Sequence, residues 1–240
     1  MRRLAVLVAA ATLVLAVASA DAASPGFRYG VAAGEITSTS AVLWTKAPSP
    51  GRILLSVAER DGPGGERLFW LRAERGRDLA VQVGVRKLEP ATAYVYSFAQ
   101  GRLTSARGSF TTASPVTSGE SVRFSISGDA DATAGSNGRP AFNNFGVYAR
   151  MASEGNDFNI NLGDTIYSDS EVGGAPVART AAEKWGKYRL GLRLDGLGVL
   201  RRSAGLYSHW DDHEFINDFS SDSSGTVRLI RPHFSRVGAS

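Results

Sequence analysis

The sequence predicts an all-β domain followed by an α/β domain, and two observations support this fold class. Between Phe27 and Thr112, apolar and polar residues alternate with a period of two in short runs separated by turn residues, which is typical of a β-sandwich. After residue 121, two short apolar runs flank a segment of helical periodicity, and this order indicates a βαβ unit with parallel strands. We therefore expect a β-sandwich first and a parallel sheet with helices second.

The composition excludes several classes of protein. The chain has 240 residues, of which 43% are hydrophobic and 21% are charged, as in ordinary soluble proteins. It has no cysteine, so a disulfide framework, a thiolate nucleophile and a cysteine-ligated metal are excluded. The net charge is +4, but the basic residues are spread singly, which does not favour specific nucleic-acid recognition. A metal, if one is bound, must use Asp, His, Asn or Tyr.

Residues 1–23 have the pattern of a secretory signal peptide. Arg2 and Arg3 precede an apolar run from Leu4 to Val17, and the small residues Ala18–Ala20 follow. The run is shorter than the roughly 20 residues that span a bilayer, so we expect cleavage and not a membrane anchor. The arginine pair is not followed by the fuller twin-arginine pattern, which favours the general secretory route but leaves the other open. The expected location is the periplasm or the cell exterior.

Six short runs carry the alternation of the first domain, which we place at residues 24–115. Turn residues separate the runs at Pro48–Gly51, Asp61–Gly65 and Gln100–Gly101. The predicted strands are Ala41–Thr45, Ile53–Val57, Leu68–Leu71, Leu79–Val85, Tyr94–Phe98 and Gly108–Thr112.

One segment of this domain, Leu88–Tyr96, resembles the tyrosine corner of fibronectin type III domains. In that motif, a tyrosine early in a strand hydrogen-bonds back to the preceding loop, and Tyr94 takes that place here. Trp44 is placed to fill the core. The resemblance implies an immunoglobulin-like or fibronectin III-like sandwich, to which we assign no chemistry.

The second domain follows a small, polar stretch, in which we place a linker at residues 116–121. We place this domain at residues 122–219. Its predicted strands are Val122–Ile126, Phe158–Leu162 and Gly205–Trp210, and its predicted helices are 141–153 and Arg179–Leu192.

Acidic residues follow each of these three strands. Asp129 and Asp131 follow the first strand, Asp164 and Tyr167 follow the second, and Asp211–Glu214 follow the third. Each of them taken singly is commonly a turn residue or a packed aromatic. Because the carboxyl ends of parallel strands share one edge of the sheet, we expect the three sets to converge, which is costly unless a cation binds among them. Oxygen ligands with a nearby imidazole suit a pair of divalent or trivalent metals that binds phosphate.

The motifs Gly163–Tyr167 and Trp210–Phe215, placed after a fibronectin-like domain, resemble those of alkaline phosphatase D, the PhoD-like branch of the calcineurin-like metallophosphoesterases. The resemblance spans about residues 27–219. It implies a β-sandwich followed by an α/β/β/α metallophosphoesterase domain. It further implies an exported enzyme that hydrolyses phosphomonoesters or phosphodiesters with calcium and iron, and manganese or zinc are the alternatives.

The resemblance also implies roles for single residues. Asp164 takes the place of the carboxylate that bridges two metals, and Tyr167 that of a phenolate ligand to ferric iron. Asp212 falls where the family has an asparagine ligand, and His213 where a histidine protonates the leaving oxygen. The implied mechanism is in-line attack on phosphorus by a metal-bound hydroxide.

Five further residues are candidates for this site. Asp129 and Asp131 stand at the first metal motif, where the iron-dependent members have a cysteine, so the identity of the metal stays open. Asn217 is a weaker candidate for a metal ligand. Arg139 and Asn143 are candidates, from their position alone, for contact with a phosphate oxygen.

The chain is expected to be truncated at its C-terminus. Residues 220–240 form an atypical tail, and His233 alone remains to supply the late histidine motifs of the family. Two functions therefore stay open: an active hydrolase of small or polymeric phosphate esters, and an inactive remnant in which only the β-sandwich folds. A purely adhesive or polysaccharide-binding sandwich module is a third possibility. We expect a monomer.

Overall fold

The computed structural model describes residues 26–219, so the predicted signal peptide and the predicted tail lie outside the described residues. Within this range the chain forms eleven strands and three α-helices. The strands are β1 Val31–Gly34, β2 Ser40–Lys46, β3 Gly51–Glu59, β4 Arg67–Ala73, β5 Ala80–Arg86, β6 Ala93–Gln100, β7 Leu103–Thr104, β8 Gly108–Thr111, β9 Phe124–Ser127, β10 Phe158–Asn161 and β11 Gly205–Ser208. The helices are α1 Gly146–Ala152, α2 Ala181–Gly191 and α3 Asp195–Ser203.

The first eight strands enclose one apolar core, as the period-two pattern predicts. One sheet has the order β4-β3-β6-β7, with β8 also paired to β6. The alternate residues Ile53, Leu55 and Val57 of β3 are fully buried against the opposite sheet. The backbone N–H of Glu89 donates a hydrogen bond to the Tyr94 hydroxyl over 2.9 Å. This contact back to the preceding loop is the one that the sequence predicts for Tyr94.

The second sheet joins the two halves of the chain. Its order is β5-β2-β1-β11-β10-β9, so that three strands come from the sandwich and three from the second half. Strand β1 is antiparallel to β2 and parallel to β11, where Ala33 pairs with Gly205. A Cβ at Gly205 would lie 2.5 Å from the Cδ1 of Ile36, so the Ile36 side chain would have to shift if Gly205 were replaced. The sequence did not predict β1, because its short Val31–Gly34 run lacks alternation.

The three strands of the second half are parallel and in register, as predicted. Phe158 of β10 pairs with Phe124 of β9 and with Gly205 of β11. Their carboxyl ends therefore lie at one edge of the sheet. Helices α1 and α3 pack against each other on one face of these strands, and α3 was not predicted. The mixture of an all-β part and a parallel sheet with helices confirms the predicted fold class.

Helices α2 and α3 also contact the sandwich. The guanidinium of Arg201, 1% exposed, donates to the carbonyl oxygens of Tyr29 (2.7 Å) and Leu192 (3.0 Å). Burial lowers the pKa of Arg201 to about 10. Asp78 forms ion pairs with Lys46 (2.7 Å) and Arg189 (3.0 Å). These contacts fix the second half of the chain against the first.

Between residues 26 and 219, none of the helices has the length and apolar character needed to cross a membrane.

Candidate metal centre

Two Gly-Asp turns end the first two parallel strands. Asp129 and Asp164 have φ values of 54° and 51°, in the left-handed region that aspartate tolerates better than most residues. Gly163 has a φ of 123°, and a Cβ there would lie 2.6 Å from the backbone nitrogen of Asp211. The glycine therefore allows the loops after β10 and β11 to approach closely. These turns bring both aspartates to the carboxyl edge of the sheet.

Tyr167 connects these two aspartates. Its hydroxyl lies 3.1 Å from Oδ1 of Asp129 and 3.1 Å from Oδ2 of Asp164. Its ring stacks on the His213 ring, with 4.1 Å between centroids. Burial, together with the two carboxylates, raises the pKa of Tyr167. A single phenolic O–H thus faces two carboxylate oxygens, an arrangement that a cation would stabilise.

Glu214 holds the loop after β11 against the loop after β10. It is buried, and its carboxylate accepts hydrogen bonds from the backbone N–H groups of Asp164 (3.1 Å), Thr165 (2.6 Å) and Asp211 (2.9 Å). The same glutamate completes a capping box at the 3-10 turn Asp212–Glu214. Sequence reasoning did not assign Glu214 this role, although it lies within a motif that was singled out.

Asp164, Asp212 and His213 form a group that could hold a metal ion. One ligand atom from each lies within 4.8 Å of the others. Among residues 26–219, neither aspartate forms an ion pair with a lysine or arginine. Burial raises the pKa of Asp164 against the opposing effects of Tyr167 and His213. Clustered carboxylates without a lysine or arginine partner fit a hard cation with oxygen ligands.

His213 is held by an aspartate that the sequence analysis missed. Nδ1 of His213 lies 2.8 Å from Oδ1 of Asp169, and Oδ2 of Asp169 accepts from the backbone N–H of Asn217 over 2.8 Å. Burial would lower the pKa of His213, but the hydrogen bond and charge of Asp169 outweigh it and raise that pKa. The contact depends on a fold of the loop between residues 164 and 169 that no residue pattern signals.

Four other predicted residues lie outside the group of three. Asp131 is buried, and its carboxylate accepts from the backbone N–H of Thr133 (2.8 Å). The amide of Asn217 donates to Asp218 (2.7 Å). The Asn143 side-chain oxygen accepts from the backbone N–H of Phe145 (2.6 Å), and Arg139 is exposed.

A cavity of about 400 Å³ lies beside the candidate ligands. Its lining includes Asp129, Asp131, Asn143, Tyr167, Asp169 and His213, together with Phe142 and Phe145. Arg139 does not line it. Six of the residues at this edge therefore face one volume that is large enough for a phosphate ester.

Two protein-family models match this chain. The family model described as "PhoD-like phosphatase, N-terminal domain" matches residues 12–114, and the one described as "PhoD-like phosphatase" matches residues 131–234. The second match thus extends into the segment set apart above as a tail. No curated protein matches this chain.

One solved structure has the same fold over most of this chain. A structure described as "Structure of PhoD" matches with a TM-score of 0.71 and 22% identity, covering 82% of this chain. The chain spans 41% of the length of that protein. The sensor domain of the anti-sigma factor RsgI4 of Pseudobacteroides cellulosolvens matches at 21% identity, covering 35% of this chain and 94% of its own, with a TM-score of 0.31. The FN5 domain of Drosophila Lar matches at 22% identity with a TM-score of 0.29, and the match covers 35% of this chain and 92% of that domain. Since two models of one family together match most of its length, the chain belongs to the PhoD-like phosphatase family.

Proposed function

We propose that this chain is an exported, metal-dependent hydrolase of phosphomonoesters or phosphodiesters. The observation that carries the proposal is the pair of carboxylates Asp164 and Asp212 at the carboxyl edge of the parallel sheet, with the imidazole of His213 within 4.8 Å of them. Asp129 and Tyr167 lie beside this group and add oxygen donors. Membership of the PhoD-like phosphatase family supports a phosphatase-type reaction at this site.

The donor set decides which ions suit the site. Asp129, Asp164 and Asp212 offer carboxylate oxygens, and Tyr167 offers a phenol oxygen, all of which are hard ligands that suit calcium or ferric iron. A bound metal pair supplies positive charge that stabilises the phosphate oxyanion and makes a water molecule more acidic. With a cation present, the raised pKa values of Asp164 and Tyr167 would fall, because both anionic forms would then be favoured.

We assign His213 the role of protonating the leaving oxygen. Asp169 engages Nδ1, so Nε2 remains available on the other side of the ring. The Asp169 carboxylate stabilises the protonated imidazole, which is the form that can donate a proton. In this assignment Asp164 and Asp212 hold the metal and His213 acts as the general acid.

Of the two predicted phosphate contacts, we favour Asn143, which lines the cavity. Its side-chain oxygen accepts from the backbone of Phe145, which leaves its amide N–H groups to donate into the cavity. Arg139 is exposed and does not line the cavity.

A second candidate is a chain that binds metal without turnover. The favouring observation is that the chain spans 41% of the length of the PhoD structure that it matches. Both candidates bind metal, but only the first hydrolyses a phosphate ester.

The deciding experiment compares His213→Asn with the matched control His209→Asn, since His209 is an exposed histidine four residues away. Metal content is measured together with hydrolysis of p-nitrophenyl phosphate and of an alkyl phosphate. We expect His213→Asn to retain metal and to slow the alkyl ester far more than the activated ester, which needs no proton. Loss of metal in His213→Asn would make His213 a ligand instead. Metal binding without any hydrolysis by the parent chain would favour the second candidate.

A further inference from the structure

Helix α2 carries two buried lysines that the proposed mechanism does not use. Lys184 and Lys187 are 7% and 9% exposed, and because they are three residues apart they share one face of the helix. Burial lowers the pKa of both ammonium groups, and the charge of Asp169 is among the effects that oppose this shift. Among residues 26–219, neither ammonium forms an ion pair with a carboxylate. Two positive charges are thus buried without a direct acidic partner.

Lysine is a rare residue in this chain and is used mainly inside it. The sequence has 4 lysines and 23 arginines, and three of the lysines, Lys46, Lys184 and Lys187, are buried. The lysine ammonium is a compact charge with three N–H donors, which suits a buried position where several oxygens converge. Burying an ammonium costs free energy that an apolar side chain would not cost. Packing alone therefore does not account for the two lysines of α2.

Lys184 binds the loop that carries His213. Its ammonium donates to the carbonyl oxygens of Glu214 (2.7 Å) and Phe215 (3.0 Å). These carbonyls lie at the end of the 3-10 turn that contains His213, where a cation also interacts favourably with the turn. The backbone N–H of Ser168, in the loop after β10, donates to the His213 carbonyl over 2.9 Å. The backbone on both sides of the imidazole is therefore hydrogen-bonded.

Lys187 binds the loop that carries Asp169. Its ammonium donates to the carbonyl oxygen of Ser170 (2.8 Å) and to the hydroxyl of Thr133 (3.4 Å). Ser170 directly follows Asp169, whose carboxylate holds the imidazole of His213. Thr133 belongs to the loop after β9. The two lysines of α2 thus contact the loops after all three parallel strands.

We propose that Lys184 and Lys187 are positioning residues for the pair formed by Asp169 and His213. The two members of this pair come from different loops, and each loop is bound by one lysine at the residue that follows the pair member. Because both lysines extend from one helix, they fix the two loops relative to each other, and with them the 2.8 Å between the carboxylate and Nδ1. This inference rests on the proposed function, since it concerns the same general acid.

Proton NMR of the histidine side chains tests the positioning without any substrate. The chain has three histidines, so isotope-labelled histidine gives few signals, and His213→Asn identifies the signal of the His213 Nδ1–H. In the parent chain we expect this proton to resonate downfield and to exchange slowly, because it is hydrogen-bonded to the Asp169 carboxylate. Absence of such a proton in the parent chain would overturn the proposal.

Methionine variants of the lysines provide the comparison. Lys184→Met and Lys187→Met keep the length of the side chain and remove its donors, so each should broaden or abolish the Nδ1–H signal. Lys46→Met is the matched control, since it removes a buried lysine of the sandwich and should leave the signal unchanged. Glutamine, whose side chain is shorter by one atom, replaces methionine in a variant that does not fold, and the same loss is expected. An unchanged signal in both α2 variants would contradict the proposal.

Kinetics on two esters separate positioning from a general structural role. For an alkyl phosphate, kcat should fall at least about tenfold in each α2 variant with KM and metal content little changed, and p-nitrophenyl phosphate should be affected less. Lys46→Met should affect both esters alike. Equal losses on both esters in the α2 variants would make the lysines merely structural and would overturn the proposal. If the parent chain hydrolyses neither ester but the NMR result is obtained, the proposed function fails, whereas the positioning of His213 by α2 stands.

Discussion

Asp169 holds His213 by a hydrogen bond of 2.8 Å between its Oδ1 and the imidazole Nδ1. Both side chains are less than one-fifth exposed. The other carboxylate oxygen accepts from the backbone of Asn217, so Asp169 is itself fixed in place. Burial would raise the pKa of Asp169, but these hydrogen bonds outweigh burial and lower it. Asp169 thus stays ionised and orients the imidazole toward the cavity edge.

We expect Asp169→Asn to lower kcat about tenfold or more for an alkyl phosphate, with KM little changed. The reason is that the amide orients the imidazole less well and no longer stabilises its protonated form. Activated nitrophenyl esters should be affected less. Asp157→Asn, at the far end of β10, is the control and should match the parent chain. Equal losses on both ester types would show that Asp169 has a structural role and does not position a general acid.

Metal binding should depend on Asp164. Asp164→Asn removes a charge from the group of three and leaves its shape intact, so calcium or manganese affinity, measured by isothermal titration, should fall at least about tenfold. In the parent chain, saturating metal should raise Tm, because the ion binds the folded chain preferentially. Asp157→Asn should bind metal as the parent does. An unchanged affinity in Asp164→Asn would remove Asp164 from the ligand set.

The sequence predicts the carboxyl edge of the parallel strands better than it predicts the contacts between the two halves of the chain or the loop that carries Asp169. Asp129 and Asp164 were predictable as neighbours because Gly-Asp follows two parallel strands, and parallel strands share one edge. The pairing of β1 with β11 was not predictable, because Ala33 and Gly205 are far apart in the sequence and leave no local pattern. The hydrogen bond between Ile36 and Tyr207, which are 171 residues apart, illustrates the same point. Asp169 was missed because its role depends on the path of a loop, which no residue periodicity records.

The tyrosine corner offers a matched pair of stability variants. Tyr94→Phe removes the hydroxyl that accepts the Glu89 N–H, and should cost about 1 kcal/mol in the free energy of unfolding. Tyr96, two residues later, is also buried, but its hydroxyl has no hydrogen-bond partner among the described residues. Tyr96→Phe should therefore be neutral or stabilising, since it removes an unsatisfied polar group. Urea denaturation measures both, and a larger loss for Tyr96→Phe would refute the assignment of the corner.

Asp78 is the shared carboxylate between the sandwich and α2, through Lys46 and Arg189. Its φ of 50° is one that asparagine also adopts readily, so Asp78→Asn tests charge without backbone strain. The change leaves Lys46, 9% exposed, without its acidic partner. We expect a loss of about 1–3 kcal/mol at pH 7, measured by urea denaturation. A loss below about 0.3 kcal/mol would show that the ion pairs contribute little.

The same variant should show a stability difference that narrows as the pH rises. Burial lowers the pKa of Lys46 below 10.5, and Asp78 opposes that shift, so the pKa should fall further in Asp78→Asn. Between the folded pKa and 10.5, the unfolded chain binds a proton that the folded chain does not, so stability rises with pH across that window. The rise is larger for Asp78→Asn, and its deficit against the parent should therefore shrink between pH 7 and about pH 10. The share that comes from Arg189 remains, because arginine stays charged throughout. As a control, Lys46→Met is added to both the parent and Asp78→Asn, and the stability difference between the two should then no longer change with pH. If the difference between Asp78→Asn and the parent is already constant with pH when Lys46 is present, Lys46 does not titrate in this window.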